Sequence, residues 1–322
     1  MTRPWWWSHR CRTPAVIPSN AVQPWCRAAG AGTGAPHQVP ARESLTRDDE
    51  VFDWRQAEKD MAGEIDSTVP QSARVWDYWY GGKDYYQADQ EAGDLVLARF
   101  AGIADAVRQL RYFTARAVRY LAAEAGVRQF LDIGTGLPFH DPVHEIALSV
   151  AGDCRIAYAD NDPLVLAFAR ALLTGPSGTV THIDADLGHP AGLLAAARDW
   201  LDFTQPVAIL LVSTLGHIGD PRQDDDEVGL LVTGQLKDAL PPGGYLVIGD
   251  LVADPDLDAA LDSYNATGAA PYRARSAEQF TRLFGGLDLA GGAVGPACRW
   301  RPEPSPFTVT EVPAWGAAGR KR

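Results

Sequence analysis

The sequence predicts an α/β fold, a mostly parallel sheet with helices on both faces. Short apolar runs recur at Gln129–Ile133, Arg155–Ala159, Val180–Ile183, Val207–Val212 and Tyr245–Leu251. Segments with helical spacing lie between them, at Leu164–Leu173, Ala191–Leu201 and Val228–Leu240. Strands that alternate with helices require right-handed crossovers, and these bury a parallel sheet on both faces. A ligand of such a sheet sits beyond the carboxyl ends of the strands, near the point where strand order switches.

The elements follow in chain order. Residues 1–60 are rich in Pro, Ala, Gly and Arg, contain a single leucine (Leu45) and carry no acidic residue before Glu43. They show neither a helical nor a strand period and offer too little apolar surface to offset their ordering entropy, so a disordered extension is expected. Trp5-Trp6-Trp7 among scattered Arg and Pro forms no periodic face. Met61 stands directly before the patterned region, which makes it an alternative translation start; a Trp-containing interaction tail is the other reading. The domain proper is expected over 61–322. A helical stretch over Asp105–Glu124 ends at Gly126, a residue suited to a helix C-terminus. The strand and helix pairs come after it.

Composition removes several function classes. The chain has 322 residues, 29 Lys+Arg against 41 Asp+Glu, and a formal charge of −12. A binder that tracks nucleic-acid phosphates needs the opposite sign, so no nucleic-acid partner is expected. Cys11, Cys26, Cys154 and Cys298 form neither close pairs nor a dense framework, which argues against disulfide scaffolds and cysteine zinc sites. No apolar run approaches the roughly 20 residues that span a bilayer. Trp5–Trp7 is followed at once by Ser8, His9 and Arg10, so no secretion signal forms. A cytoplasmic location without membrane attachment is expected, and the oligomeric state is left open.

The strand ends carry the chemistry. The first runs into Asp132-Ile133-Gly134-Thr135-Gly136-Leu137-Pro138. Glycines at 134 and 136 permit a sharp turn and close approach of a ligand to the backbone. The dinucleotide fingerprint needs a third small residue at 139, where this chain has Phe139, so a nucleoside suits the loop better than a pyrophosphate. The second run ends in Asp160-Asn161-Asp162-Pro163. An acid there can accept hydrogen bonds from both ribose hydroxyls, whereas Asp162 before a proline reads as a helix N-cap. The third ends in Asp184-Ala185-Asp186-Leu187, where a carboxylate either receives an adenine amino group or caps the helix after Pro190.

These features together resemble the class I S-adenosylmethionine-dependent methyltransferases, whose acid-x-Gly-x-Gly pattern is met by Asp132, Gly134 and Gly136. More narrowly, "SARVWDYWYGGKDYYQAD" (72–89), "FLDIGTGLP", "YADNDPLVL", "LKDALPPGGYLVI" and "WGAAGRK" are similar to an actinobacterial family called S-adenosyl methyltransferase, formerly a domain of unknown function. The resemblance implies a Rossmann-like fold with a mostly parallel seven-stranded sheet, S-adenosylmethionine as cofactor, and methyl transfer to oxygen or nitrogen of a small molecule. It places Gly134-Thr135-Gly136, after Asp132, beside the methionine half, Asp160 with Asn161 at the ribose, Asp186 with Leu187 at the adenine, and Val212 with Ser213 near the sulfonium. The segment Tyr78–Lys83, with Trp76 and Trp79, is expected either over the site as a lid or as simple helix-face packing, since 75, 78, 79 and 82 share one helical face. Two departures from the family pattern, Tyr85 for Asn and "FHDPVHE" at 139–145, fall at the lid and the acceptor pocket.

Methyl transfer asks mainly for alignment, but a hydroxyl acceptor needs a base. His217, just past the fourth apolar run, is best placed, with His140 and His144 as alternatives. His140 and His144 share a helical spacing but lack a third ligand, so no metal is expected. Two other functional classes fit less well. A nucleotide-dependent oxidoreductase conflicts with Phe139, and a non-catalytic cofactor-binding regulatory module would have a sealed acceptor pocket.

Overall fold

The computed structural model describes residues 65–220, 226–303 and 309–322; the expected extension at 1–60 lies outside the described residues. Three helices precede the sheet: α1 (Ser72–Tyr80), α2 (Gln87–Arg99) and α3 (Ile103–Ala123). Strands and helices then alternate as β1 (Gln129–Ile133), α4 (Val143–Val150), β2 (Arg155–Asp160), α5 (Pro163–Leu172), β3 (Val180–Asp184), α6 (Pro190–Arg198), β4 (Val207–Val212), α7 (Glu227–Ala239) and β5 (Tyr245–Leu251). Helices α8 (Pro255–Asn265) and α9 (Ala277–Arg282) lead to a closing pair of strands, β6 (Asp288–Pro296) and β7 (Ala314–Arg320).

The seven strands lie in the order β3-β2-β1-β4-β5-β7-β6. The first five are parallel, and β7 runs antiparallel to both β5 and β6. All of β1 and β5 is buried, as their unbroken apolar runs require. Side chains alternate across the sheet and build two cores. Phe130, Leu210 and Val247 pack with Leu110, Phe113 and Leu121 of α3 and with Leu257 and Leu261 of α8. Leu131, Ile209 and Ile248 pack on the other face with Leu193 of α6, Leu236 of α7 and Phe280 of α9.

Small residues in β7 have a packing cause. A Cβ on Gly316 would lie 2.8 Å from the Phe113 ring, so the strand can pass under α3 only without one. The N-terminal helices are pinned by a buried ion pair, Arg74 Nε to Asp89 at 2.7 Å, which joins α1 to α2. The Gln71 side chain caps α1 and also donates to Asp162 at the start of α5. Helix α1 is thereby fixed against the carboxyl end of the sheet. None of the helices among the described residues is long and apolar enough to cross a membrane.

Candidate functional site

Strand order reverses between β1 and β4, and the carboxyl ends there open into a cavity of about 700 Å³. That volume is ordinary for a small-molecule site. The expected cofactor residues and the first-choice base line it: Asp132 and the loop after β1, Asp160 and Asn161 after β2, Asp186 and Leu187 after β3, Val212 and Ser213 at β4, and His217 beyond.

The loop after β1 works because two glycines take a left-handed backbone, with φ of 74° at Gly134 and 64° at Gly136. Gly134 is also crowded, since a Cβ would lie 2.3 Å from the hydroxyl of Thr214. Gly134 N donates to the Ala159 carbonyl at 2.8 Å, tying the loop to β2. Asp160 continues this tie. Its carboxylate accepts from Gly136 N at 3.1 Å and from Asp162 N at 3.0 Å, one bond on each oxygen. Burial still raises its pKa, and each oxygen retains acceptor capacity toward the cavity.

Asp162 does what its position before Pro163 predicts: one oxygen accepts from Leu164 N at 2.7 Å and Val165 N at 3.1 Å. Asp186 does not cap α6, whose N-cap residue is His189 and which has no side-chain cap bond. One oxygen closes a local turn by accepting from Gly188 N at 2.7 Å, while the residue lines the cavity. Asp132 lies in the same cavity at 9% exposure, its pKa pushed up to about 7 by burial and by the Asp160 charge, against the pull of Arg111. Ser213 has φ of 62°, an uncommon conformation for a residue with a side chain. Its Oγ is buried beside the Tyr80 hydroxyl and makes no hydrogen bond of good geometry. A buried hydroxyl without a partner, facing the cavity, is free to bond a ligand there.

His217 ends a short 3-10 turn, Leu215–His217, that is held from several sides. Arg275 donates to the Leu215 carbonyl at 2.7 Å and pairs with Asp226 at 2.9 Å, with both side chains buried. Asp250 accepts from Gly216 N at 3.0 Å and from the Tyr272 hydroxyl, and Tyr272 places its ring against His217 at 4.9 Å between centroids. His217 Nδ1 lies 2.9 Å from the Pro271 carbonyl. A carbonyl offers no proton, so Nδ1 carries one and the neutral ring keeps its lone pair on Nε2. Burial lowers the pKa of this histidine, more than the neighbouring carbonyls raise it. Neither alternative base lines the cavity. His144 Nδ1 is bonded to the Tyr158 hydroxyl at 2.9 Å, and the His140 carbonyl accepts from Arg111. Among the described residues no group of three His, Cys, Asp or Glu is placed to hold a metal.

The lid expected at Tyr78–Lys83 is redistributed. Of that segment only Tyr80 lines the cavity, stacked on Phe139 at 5.3 Å, while Trp76 and Gln71 line it from further back on and before α1. Tyr78 is turned outward to Asp94 and to the ring of Tyr85, and Trp79 is core, its indole donating to the Gly93 carbonyl. Sequence reasoning missed Gln71, Arg111, Asp250 and Arg275. Asp250 carried a signal, an acid closing an apolar run like those of β1 and β2; the others lie far from any strand end in sequence.

The arrangement of a glycine loop, acids at successive strand ends and a neutral imidazole suits a nucleoside ligand with a cationic centre. Comparison with known proteins supports this. The sequence profile described as S-adenosyl methyltransferase matches residues 58–322. Among solved structures, a duf574 family protein from Streptomyces avermitilis MA-4680 is 36% identical, covering 80% of this chain and 99% of that one with a TM-score of 0.73. A candidate methyltransferase from Thermobifida fusca YX is 34% identical, covering 79% and 96% of the two chains with a TM-score of 0.71. A search of curated proteins found no match. On the profile match and these two structural relatives, the chain belongs to the S-adenosyl methyltransferase family, enzymes that use S-adenosylmethionine as methyl donor.

Proposed function

We propose that the cavity at the ends of β1 to β4 takes S-adenosylmethionine together with a small-molecule acceptor, and that the methyl group goes to an oxygen or nitrogen of that acceptor. The observation that carries this reading is that one cavity unites the glycine loop, Asp160, Asp186, the unbonded Ser213 hydroxyl and His217. The cofactor, when bound, supplies a methyl group already activated on a sulfonium.

The chain's own residues do the rest. Asp160, fixed on both oxygens from behind, accepts from the ribose hydroxyls. Asp186 and Leu187 meet the adenine, one by hydrogen bonding and one by apolar contact. Val212 and Ser213 stand by the sulfonium. Trp76, Tyr80 and Phe139 wall the cavity and exclude water. His217 accepts the acceptor's proton at Nε2, and its depressed pKa keeps the ring neutral near pH 7. The surplus of aspartates over basic residues lining the cavity favours a cationic guest. Residues 61–322 make up the methyltransferase domain, and 1–60 are an extension to it.

Isothermal calorimetry tests the placement. Asp160→Ala is expected to weaken S-adenosylmethionine binding by about 30- to 150-fold, the loss of charge-assisted hydrogen bonds worth about 2–3 kcal/mol. Unchanged affinity in a folded variant would remove the ribose from Asp160. A labelled-methyl screen on extract of the source organism then identifies the acceptor, and label found only on protein or nucleic acid would refute the small-molecule reading.

A further inference from the structure

The bond that fixes the His217 tautomer has two sides, and one buried carboxylate holds both. His217 Nδ1 and the Pro271 carbonyl meet at 2.9 Å although 54 positions separate them in the chain. Asp250, at the end of β5 and 2% exposed, accepts on Oδ2 from Gly216 N at 3.0 Å, one residue before the histidine. On Oδ1 it accepts from the hydroxyl of Tyr272, one residue after the proline, and from Leu251 N at 2.9 Å. Burial pushes the Asp250 pKa up to about 6, against the pull of the Tyr272 hydroxyl and Arg275, so at pH 7 both oxygens serve as acceptors.

The proline side is fixed as firmly as the histidine side. Tyr272 N donates to Asn265 Oδ1 at 2.8 Å, and its carbonyl accepts from Asn265 Nδ2 at 2.9 Å. Arg273 N donates to the Gly216 carbonyl at 2.9 Å, across the same junction. The Tyr272 ring fills the space a Cβ on Gly216 would need and meets the His217 ring at 78° between planes. The charged groups around the junction are Asp250 from β5, Arg273 and Arg275 from the segment before α9, and Asp226 before α7, with Arg275 and Asp226 paired to each other. The three hydrogen bonds that Asp250 accepts go to Gly216, Leu251 and Tyr272, so it acts on the imidazole through geometry.

We propose that Asp250 is a positioning residue of the methyl-transfer site. By holding Gly216 and Tyr272 together it sets the bond from His217 Nδ1 to the Pro271 carbonyl, and so keeps the lone pair on Nε2 for the cavity that His217 lines. The proposal rests on the reading of His217 as the base and adds Asp250 and Tyr272 as residues that act through it. An imidazole freed from the carbonyl exchanges its proton between the two nitrogens, and a ring protonated on Nε2 has no lone pair there for the acceptor's proton.

Long-range proton–nitrogen NMR on the full chain with nitrogen-15 histidine reads the tautomer and needs no acceptor; the His217 signals are those missing from His217→Gln. Above its pKa, wild-type His217 is expected to hold the Nδ1–H form in about tenfold excess, the weight of one hydrogen bond. Asp250→Asn cannot replace the carboxylate, because an amide has one acceptor oxygen and its NH2 group must face either Gly216 N–H or Leu251 N–H. In that variant the excess should fall to about twofold or less, and the His217 pKa should rise toward its ordinary value of about 6.5. Tyr272→Phe keeps the ring, removes only the hydroxyl and should reduce the excess in the same direction. Asp162→Ala, which loosens the fold at α5 instead, should give the wild-type spectrum. An unchanged excess in Asp250→Asn, or in Tyr272→Phe if the former does not fold, would overturn the positioning role and leave His217 as base. Equal loss in Asp162→Ala would reduce the effect to general loosening and overturn it likewise. A wild-type His217 protonated on Nε2 would refute the base itself, and the proposal with it.

Discussion

The two ring nitrogens of His217 are in different situations, and the difference defines what the residue can do. Nδ1 is committed to the Pro271 carbonyl, which fixes the tautomer and leaves Nε2 as the basic atom. With a pKa lowered by burial, the neutral form persists to more acidic pH than for a free histidine. A base works only when unprotonated, so turnover is expected to hold through pH 7 and to fall as pH drops below about 6.5. His217→Ala should keep cofactor affinity, lose about 10²–10⁴-fold in turnover, and lose that acidic limb. A variant with wild-type turnover and an unchanged pH–rate profile would leave catalysis to alignment alone.

At the scale of elements, the helix-start residue Asp162 joins two parts of the fold. It caps α5 through Leu164 N and Val165 N, and it accepts from Gln71 before α1. Asp162→Ala is expected to cost about 1 kcal/mol of unfolding free energy by urea titration, the usual loss for an N-cap. Cofactor affinity should stay within about twofold of wild type, because the ribose contact is proposed for Asp160, not Asp162. If Asp162→Ala lowered affinity as Asp160→Ala is expected to, the roles at the β2 end would be exchanged. The 3-10 turn under His217 is built on the same principle of multiple tethers: Gly216 has no room for a Cβ, which would lie 2.1 Å from the Tyr272 ring.

For the molecule as a whole, the prediction concerns where the functional chain begins. The family profile starts at residue 58, and the composition of 1–60 cannot supply a core. A chain starting at Met61 is expected to melt within a few degrees of the full chain and to bind S-adenosylmethionine with unchanged affinity. A large drop in either quantity would show that the extension contributes to the fold or the site. Differential scanning calorimetry and titration on the two purified chains decide it.

The sequence by itself determined the five parallel strands nearly to the residue. Arg155–Ala159 and Val180–Ile183 each extend by one aspartate, Asp160 and Asp184, and the helices Leu164–Leu173 and Val228–Leu240 each begin and end one residue early. It determined the positions of the strand-end acids and the cap at Asp162 as well, because unbroken apolar runs, glycine pairs and Asp-Pro steps act locally. The tertiary structure decided what depends on distant partners. β7 is short of branched apolar residues and gives little strand signal; it is a strand because β5 and β6 pair with it and Phe113 needs the space above Gly316. Asp250 could have been read from its place at the end of an apolar run, but Arg111 and Arg275 reach the site from elements tens of residues away, and no local period reports where a helix face will meet a strand end. Trp76 and Trp79 look alike in sequence and both are buried in the same core, yet only Trp76 also lines the cavity, a choice made by how α1 packs against its neighbours.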